Sequence, residues 1–295
     1  MIYNIGSINV DNVYRCNYLP APGETISALE HRRLLGGKGI NQSIAIVQAG
    51  GEVCHIGAVG PDGAWVLEQI EGLGISSTHI MRLDHPDTGH AAVCVDTQGE
   101  NSIIISGGAN RALTLEHIRK SLETAGKNDW LLLQNETNLT GEIAQEGRAK
   151  GCKVAYAAAP FLTELAFDML PLVDLLCVNE TEARQLSEAL GKEVTKLEGI
   201  AILLTRGARG AAYIKDGVSC EQPAFEVDPR DTTGAGDTFL GSFMAFFAED
   251  SGIEAALRYA SAAAAIQVTR QGAATAIPSQ KEVTIFLKES KYRIE

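Results

Sequence analysis

The chain has 295 residues, 45% hydrophobic and 21% charged, which suits one large globular unit over 1–295. Its formal charge of −12 argues against a nucleic-acid groove or an anionic membrane surface as partner. The six cysteines lack a CxxC pair and the six histidines lack ligand spacing, so neither a disulfide frame nor a zinc site is expected, and a reducing, cytoplasmic setting is. The start MIYNIGSINVD lacks the basic head and long apolar core of a secretion signal, and no apolar run has the length of a bilayer span.

Ile2 to Ile8 reads as the first strand. At its end, Gly6-Ser7-Ile8-Asn9-Val10-Asp11 places Asn9 and Asp11 two apart, on one side of an extended chain. Two such acceptors suit a vicinal diol, and a polar strand end forming a turn explains them equally well. Asp11 to Leu35 holds Pro20, Pro22 and Gly23 among strand-like residues and no good helix. Leu35-Gly36-Gly37-Lys38-Gly39-Ile40-Asn41-Gln42 then opens an apolar helix, and either offers a cation and an amide to a hydroxyl-rich ligand on backbone that bends tightly or is a flexible connection with a surface lysine. It is not a P-loop, because GxxxxGK[ST] occurs nowhere, and the dinucleotide fingerprint GxGxxG is also missing.

Val53 to Val59 is a strand and Trp65 to Leu73 an amphipathic helix. His90 to Ser106 alternates as two strands around Thr97-Gln98-Gly99-Glu100, a hairpin. Segments of about 11–35 and 88–106 are therefore expected to form a small β-layer projecting from the main sheet, as a lid that excludes water or as a dimerising sheet. Leu115 to Ala125 is helical; Trp130 to Leu133, Lys153 to Ala157, Leu172 to Val178 and Ile200 to Leu204 are strands. This alternation predicts an α/β fold: a mostly parallel sheet covered on both faces, with its ligand site at the carboxyl ends of the strands.

Asn179-Glu180-Thr181-Glu182 follows a strand and reads first as a helix capping box, with proximity to a hydrated Mg²⁺ as the functional alternative. Thr205-Arg206-Gly207-Ala208-Arg209-Gly210 is either a nucleotide cradle or a strand-to-strand turn, and Lys215 to Val218 reads as a tight hairpin near the sheet's far edge. Asp231-Thr232-Thr233-Gly234-Ala235-Gly236-Asp237-Thr238-Phe239 is the most informative stretch. Phe239, Phe243, Phe246 and Phe247 recur at helical spacing, so a helix begins near Gly236 and the amides of Gly234 through Asp237 are expected to point out of its end. Such an end suits a phosphate or oxyanion, and a carboxylate beside it has an evident task in taking a proton from an attacking hydroxyl. A glycine-rich turn with Asp237 as a cap is the plainer reading of this stretch taken alone.

In this order and spacing the motifs resemble the ribokinase-like family of carbohydrate kinases, often called PfkB kinases, from GSINVD to RQGAATAIP. DTTGAGDTF is that family's most specific signature and GGKGINQ its second; TGHAAVCVDTQGEN, GGAN and VTRQGA are most similar to its ribose-phosphorylating branch. The resemblance implies a three-layer α/β/α fold with a small β-sheet lid. It implies γ-phosphoryl transfer from ATP to a primary hydroxyl of a pentose, ribose first, with Asp237 as base and an anion hole at Gly234, Ala235 and Gly236. Asn9, Asp11, Gly37, Lys38, Asn41 and Glu136 match sugar-contacting positions. Asn179 and Glu182 match a pair near Mg²⁺ and phosphate; Thr205, Gly207, Gly210 and Ser261 match nucleotide-binding positions, as does Gly236. Asp231, Thr233, Gln267, Arg270, Gly272 and Ala276 match a monovalent-cation site, K⁺ first, and a homodimer through the lid is implied.

The chain departs from the ribose-phosphorylating pattern at Ala157-Ala158-Ala159-Pro160, where NPAP is usual, and at Ala276 and Arg206. Rival readings are a family kinase for a nucleoside, fructose or a keto-deoxy sugar acid, and, from another class, a non-catalytic sugar-binding protein.

Overall fold

The structure, a computed structural model, describes residues 1–291. Its strands are β1 (Ile2–Ile5), β2 (Asn9–Arg15), β3 (Glu30–Gly36), β4 (Val53–Val59), β5 (Ile80–Arg82), β6 (Gly89–Val95), β7 (Asn101–Ser106), β8 (Trp130–Leu133), β9 (Lys153–Ala157), β10 (Leu175–Asn179), β11 (Ala201–Thr205), β12 (Ala211–Lys215) and β13 (Val218–Gln222). The helices are α1 (Lys38–Gln48), α2 (Ala64–Gly72), α3 (Leu115–Ser121), α4 (Thr140–Ala149), α5 (Thr163–Met169), α6 (Glu180–Leu190), α7 (Ala235–Phe247), α8 (Ile253–Val268) and α9 (Gln280–Lys291).

A nine-stranded sheet has the order β13-β12-β11-β10-β9-β8-β1-β4-β5. From β5 to β11 all neighbours are parallel, and β12 and β13 close the far edge antiparallel. Strands buried on both faces send successive residues to opposite cores. Trp130, Leu132, Ala155, Ala157, Leu175, Cys177, Ala201 and Leu203 pack with α7, α8 and α9. Leu131, Leu133, Val154, Tyr156, Leu176, Val178 and Ile202 pack with α3, α4, α5 and α6. The sheet is thus the middle layer of an α/β/α sandwich. On the α7 side, alanines of the sheet leave room for the phenylalanines predicted to share a face: Phe239, Phe243 and Phe247 stack in sequence, and Phe243 is fully buried.

β3-β2-β6-β7 form a separate four-stranded sheet. The hairpin expected at His90 to Ser106 is β6 and β7, and Lys215 to Val218 closes the hairpin of β12 and β13, with Asp216 and Gly217 both at positive φ. Several boundaries differ from expectation. The first strand stops at Ile5, not Ile8, and Asn9 and Asp11 belong to the next strand, in the small sheet. Helix α3 ends at Ser121, short of Ala125, and Leu170–Leu172 is a 3-10 turn before β10.

The break after Ile5 falls at a close contact between two stretches of backbone. A Cβ on Gly6 would lie 2.5 Å from the Cα of Gly39, and one on Gly39 would overlap Gly6 Cα and Ser7 N. Two glycines therefore let the end of β1 and the first turn of α1 touch backbone to backbone. The N–H of Ile40 donates to the Ser7 carbonyl at 2.9 Å across that contact.

Candidate active site

The carboxyl ends of the parallel strands gather the predicted residues. β10 and β11 end side by side, with Asn179 in register with Thr205. β1 runs into Ser7 and β8 into Gln134, Asn135 and Glu136. Helix α1 starts at Lys38 and packs on α7, so closely that a Cβ on Gly241 would meet the Gln42 carbonyl.

Helix α7 begins after Gly234, whose φ of 75° is left-handed, and no side chain caps it. The N–H of Ala235 turns back to the Thr232 carbonyl at 3.2 Å, so the expectation of four free amides is too generous. The Gly236 and Asp237 amides remain without an acceptor inside the helix. Nothing lies within 4 Å of a Cβ built on Gly236, which leaves open space at this electropositive end.

Asp237 stands in the first turn facing α1. Its Oδ1 accepts from the side-chain amide of Gln42 at 2.9 Å and its Oδ2 from that of Asn41 at 3.3 Å. Lys38 is held above the ordinary lysine range first by the charge of Asp237, then by Glu136 and Glu182, with burial opposing.

A cavity of about 190 Å³ opens beside this cluster, lined by Asn9, Asn110, Arg111, Asn135, Glu136 and Pro160, with Ile105 and Gly107 from the small-sheet side. Glu136 accepts from the Ser7 hydroxyl and, at 3.0 Å, from the Lys38 N–H. Asn9 lies between Gly36 and Gly89 on its neighbouring strands and accepts from Asn110 at 2.7 Å. Asp11 shares its strand face; burial, then Glu136 and Asp237, push its carboxyl up to about 6. Gly37, at a φ of 105°, is the N-terminal boundary of α1.

Asn179 and Glu182 form a complete capping box, Asn179 Oδ1 accepting at 2.9 Å and Glu182 Oε2 at 2.8 Å. Burial nevertheless holds the Glu182 carboxyl high, and it feels Lys38, so it faces the cluster. Thr205, Gly207 and Gly210 form the turn between β11 and β12, closed by the Arg206 N–H on the Gly210 carbonyl at 2.7 Å. Arg206 itself ion-pairs with Glu221 at 3.0 Å. Ser261, on α8, is buried with its hydroxyl unpartnered.

Asp231 accepts from Thr233 N–H and Gly272 N–H, each at 2.9 Å, and those bonds outweigh burial in keeping its carboxyl low. The Gln267 amide nitrogen lies 3.1 Å from the carbonyls of Thr233, Gly272 and Ala273, while Arg270 reaches the Ala276 carbonyl at 3.4 Å. A carboxamide has two N–H donors, so three converging carbonyls keep acceptor capacity.

Ser7, Gln42, Asn110, Arg111, Gln134 and Asn135 also line or brace the site, and no local pattern marks them out individually. The signal for Gln42 was present, one residue past Asn41 in GGKGINQ, but its partner lies 195 positions away.

Fold and site together put the chain among the small-molecule phosphotransferases of the three-layer α/β/α class. Residues 1–280 match the family described as pfkB family carbohydrate kinase, and the chain belongs to that family. It is 36% identical to the ribokinase of Haemophilus influenzae, covering 97% of this chain and 98% of that one. It is 30% identical to the deoxyribokinase of Salmonella typhi, over 96% and 97% of the two chains. The solved structure of Arabidopsis thaliana ribokinase complexed with ribose and ATP is similar with a TM-score of 0.84 at 30% identity, over 97% of this chain and 98% of that one. The protein is a sugar kinase.

Proposed function

We propose that the protein phosphorylates ribose at its primary hydroxyl with ATP, giving ribose 5-phosphate and ADP, with Asp237 as the general base. The observation that carries this reading is Asp237 at the open end of α7, beside Asn41 and Lys38, with Lys38 joined in turn to Glu136 in the wall of the acceptor-lined cavity. The ribose- and ATP-bound Arabidopsis thaliana relative supports the same substrate pair.

The sugar's hydroxyl proton passes to Asp237 as its oxygen attacks the γ-phosphorus in line, and the bond to the β-phosphate oxygen breaks to release ADP. The Gly236 and Asp237 amides receive the developing charge, with Gly234 and Ala235 forming the turn that presents them, and Lys38 adds a fixed cation. Asn9, Asp11, Asn41 and Glu136, with Gly37 shaping the turn, orient the sugar hydroxyls. The turn of Thr205, Gly207 and Gly210 and the free hydroxyl of Ser261 are assigned to the nucleotide.

Glu182 and Asn179 suit a hydrated Mg²⁺, since their capping bonds use one atom of each group and leave a carboxylate oxygen over. When bound, it neutralises phosphate charge. The hard oxygens of Asp231, Thr233 and Gly272 suit K⁺, with Gln267, Arg270 and Ala276 holding the loop; that cation would brace the segment leading into the anion hole.

The four-stranded sheet acts as the lid, its Ile105 reaching the cavity. Its edge strand β7 exposes Ile103, Ile104 and Ile105, which supports a homodimer through this sheet. Six free cysteines support a reducing compartment, the cytoplasm. Among the described residues no helix is long and apolar enough to cross a membrane.

The test is ADP release from MgATP with ribose, deoxyribose, fructose, nucleosides and keto-deoxy sugar acids, each with and without K⁺. Preferred turnover on ribose is expected. Preference for another sugar moves the substrate and keeps the chemistry, and ATP binding without turnover on any sugar overturns the reading.

A further inference from the structure

A continuous chain of buried polar side chains runs from Asp237 into the middle of the protein. Gln42 donates to Asp237 Oδ1 at 2.9 Å and accepts from the Gln134 amide at 2.7 Å. Gln134 donates its other hydrogen to Asn4 Oδ1 at 2.9 Å. Asn4 in turn donates to the Gly39 carbonyl at 2.7 Å and to Ser43 Oγ at 2.8 Å, and Ser43 meets His55 Nδ1 at 2.8 Å. Gln42, Gln134, Asn4, Ser43 and His55 are each at most 2% exposed. Burying five polar groups in a row is costly, the more so because Gln134 Oε1 and His55 Nε2 have no partner, so the chain is not there for stability alone.

The order here is directional. Gln134 spends both amide hydrogens, one on Asn4 and one on Gln42, and so always presents a donor to Gln42. Gln42 must answer with its oxygen, which leaves only its N–H₂ to face Asp237. Turning the Gln42 amide over would set oxygen against carboxylate on one side and nitrogen against nitrogen on the other. At the far end, burial pushes His55 down to about 3, so the chain ends in a neutral ring and brings no second charge.

We infer that Gln42 is a positioning residue for the catalytic base: locked by Gln134, it pins Asp237 Oδ1 and leaves Oδ2 turned toward the attacking hydroxyl. The inference rests on the assignment of Asp237 as base. The other charges facing Asp237 are Lys38 on α1 and Asp11 on β2, with Glu136 and Glu182 beyond Lys38. None of them is in the chain, so changes within it leave those charges in place.

The experiment compares wild type with Q42M, Q134M, Q42M/Q134M and D237N, reading kcat, both KM values and Tm. Q42M keeps the volume and removes the donor. It should lower kcat about tenfold and leave KM for ATP unchanged. Q134M touches no atom of Asp237, yet should lower kcat the same way, by about threefold, with KM for ATP again unchanged. The double variant should be no worse than Q42M alone. Q134M carries the test by itself if Q42M fails to fold. A folded Q42M with wild-type kcat, or one that loses kcat and KM for ATP together, beside an inactive D237N, overturns the positioning role alone. Full additivity of the two losses also overturns it. An active D237N overturns the base assignment, and this inference with it.

Discussion

The backbone N–H of Lys38 donates to Glu136 Oε2 at 3.0 Å, joining residues 98 positions apart. The same carboxylate oxygen accepts from the Ser7 hydroxyl, so three segments, the end of β1, the start of α1 and the end of β8, converge on one buried acid at the cavity. Glu136 thus shapes the pocket and supplies an acceptor to it.

Replacement of Glu136 by Gln removes the charge while keeping the shape. Charge-assisted hydrogen bonds contribute about 1.5–3 kcal/mol each, so KM for the sugar should rise roughly tenfold to a hundredfold, with KM for ATP little changed. Steady-state kinetics with each substrate varied separately checks this; equal rises in both constants count against a sugar-side role.

Asp11 sets a pH dependence of its own. Its carboxyl, pushed up to about 6 by burial and by Glu136 and Asp237, is protonated below that pH and ionised above it. Sugar KM should therefore rise as pH falls below about 6, and D11N should flatten that dependence. The stability effect has the opposite sense. Between the unfolded value near 3.8 and 6, the folded chain holds a proton that the unfolded chain has lost, so this group makes stability fall as pH rises through that window. In sugar-free protein, D11N should raise Tm more at pH 7.5 than at pH 5. Thermal melts at the two pH values decide it.

Gly39→Ala places a Cβ against the Gly6 and Ser7 backbone, which has no side-chain freedom with which to yield. The strain should cost about 1–3 kcal/mol and prise α1 from β1, displacing Lys38 and Asn41 together. Urea denaturation should show the lower midpoint, and kcat should fall with it; an unchanged midpoint would mean that the two glycines do not set this contact.

Ile104, 72% exposed on β7, should lie in the dimer contact. Ile104→Glu should turn a dimer into a monomer in sedimentation velocity without lowering Tm by more than a few degrees. A monomeric wild type would remove the dimer proposal.

Much of the fold was legible because it rests on local periodicity. β4, β8 and β9 have the expected ends, and the phenylalanine face of α7 lies in the core. β5 escaped notice because three residues are too few to display alternation. The placement of Asn9 and Asp11 was misread for a different reason. Ile2 to Ile8 is apolar enough to look like one strand, whereas the chain leaves the main sheet after Ile5, where Gly6 and Gly39 touch, and begins β2 in another.

By itself the sequence determined the layers, the family's motifs and the chemical character of the site, since strand and helix periods, a glycine-rich helix start and a carboxylate beside it are all local. Tertiary structure decided which groups meet. The bonds of Gln42 to Asp237, Ser7 to Glu136 and Asn110 to Asn9 each span more than a hundred positions. Such pairs depend on how β1, α1, β8 and α7 pack at the carboxyl edge of the sheet, and side-chain spacing along a single element carries no record of that packing.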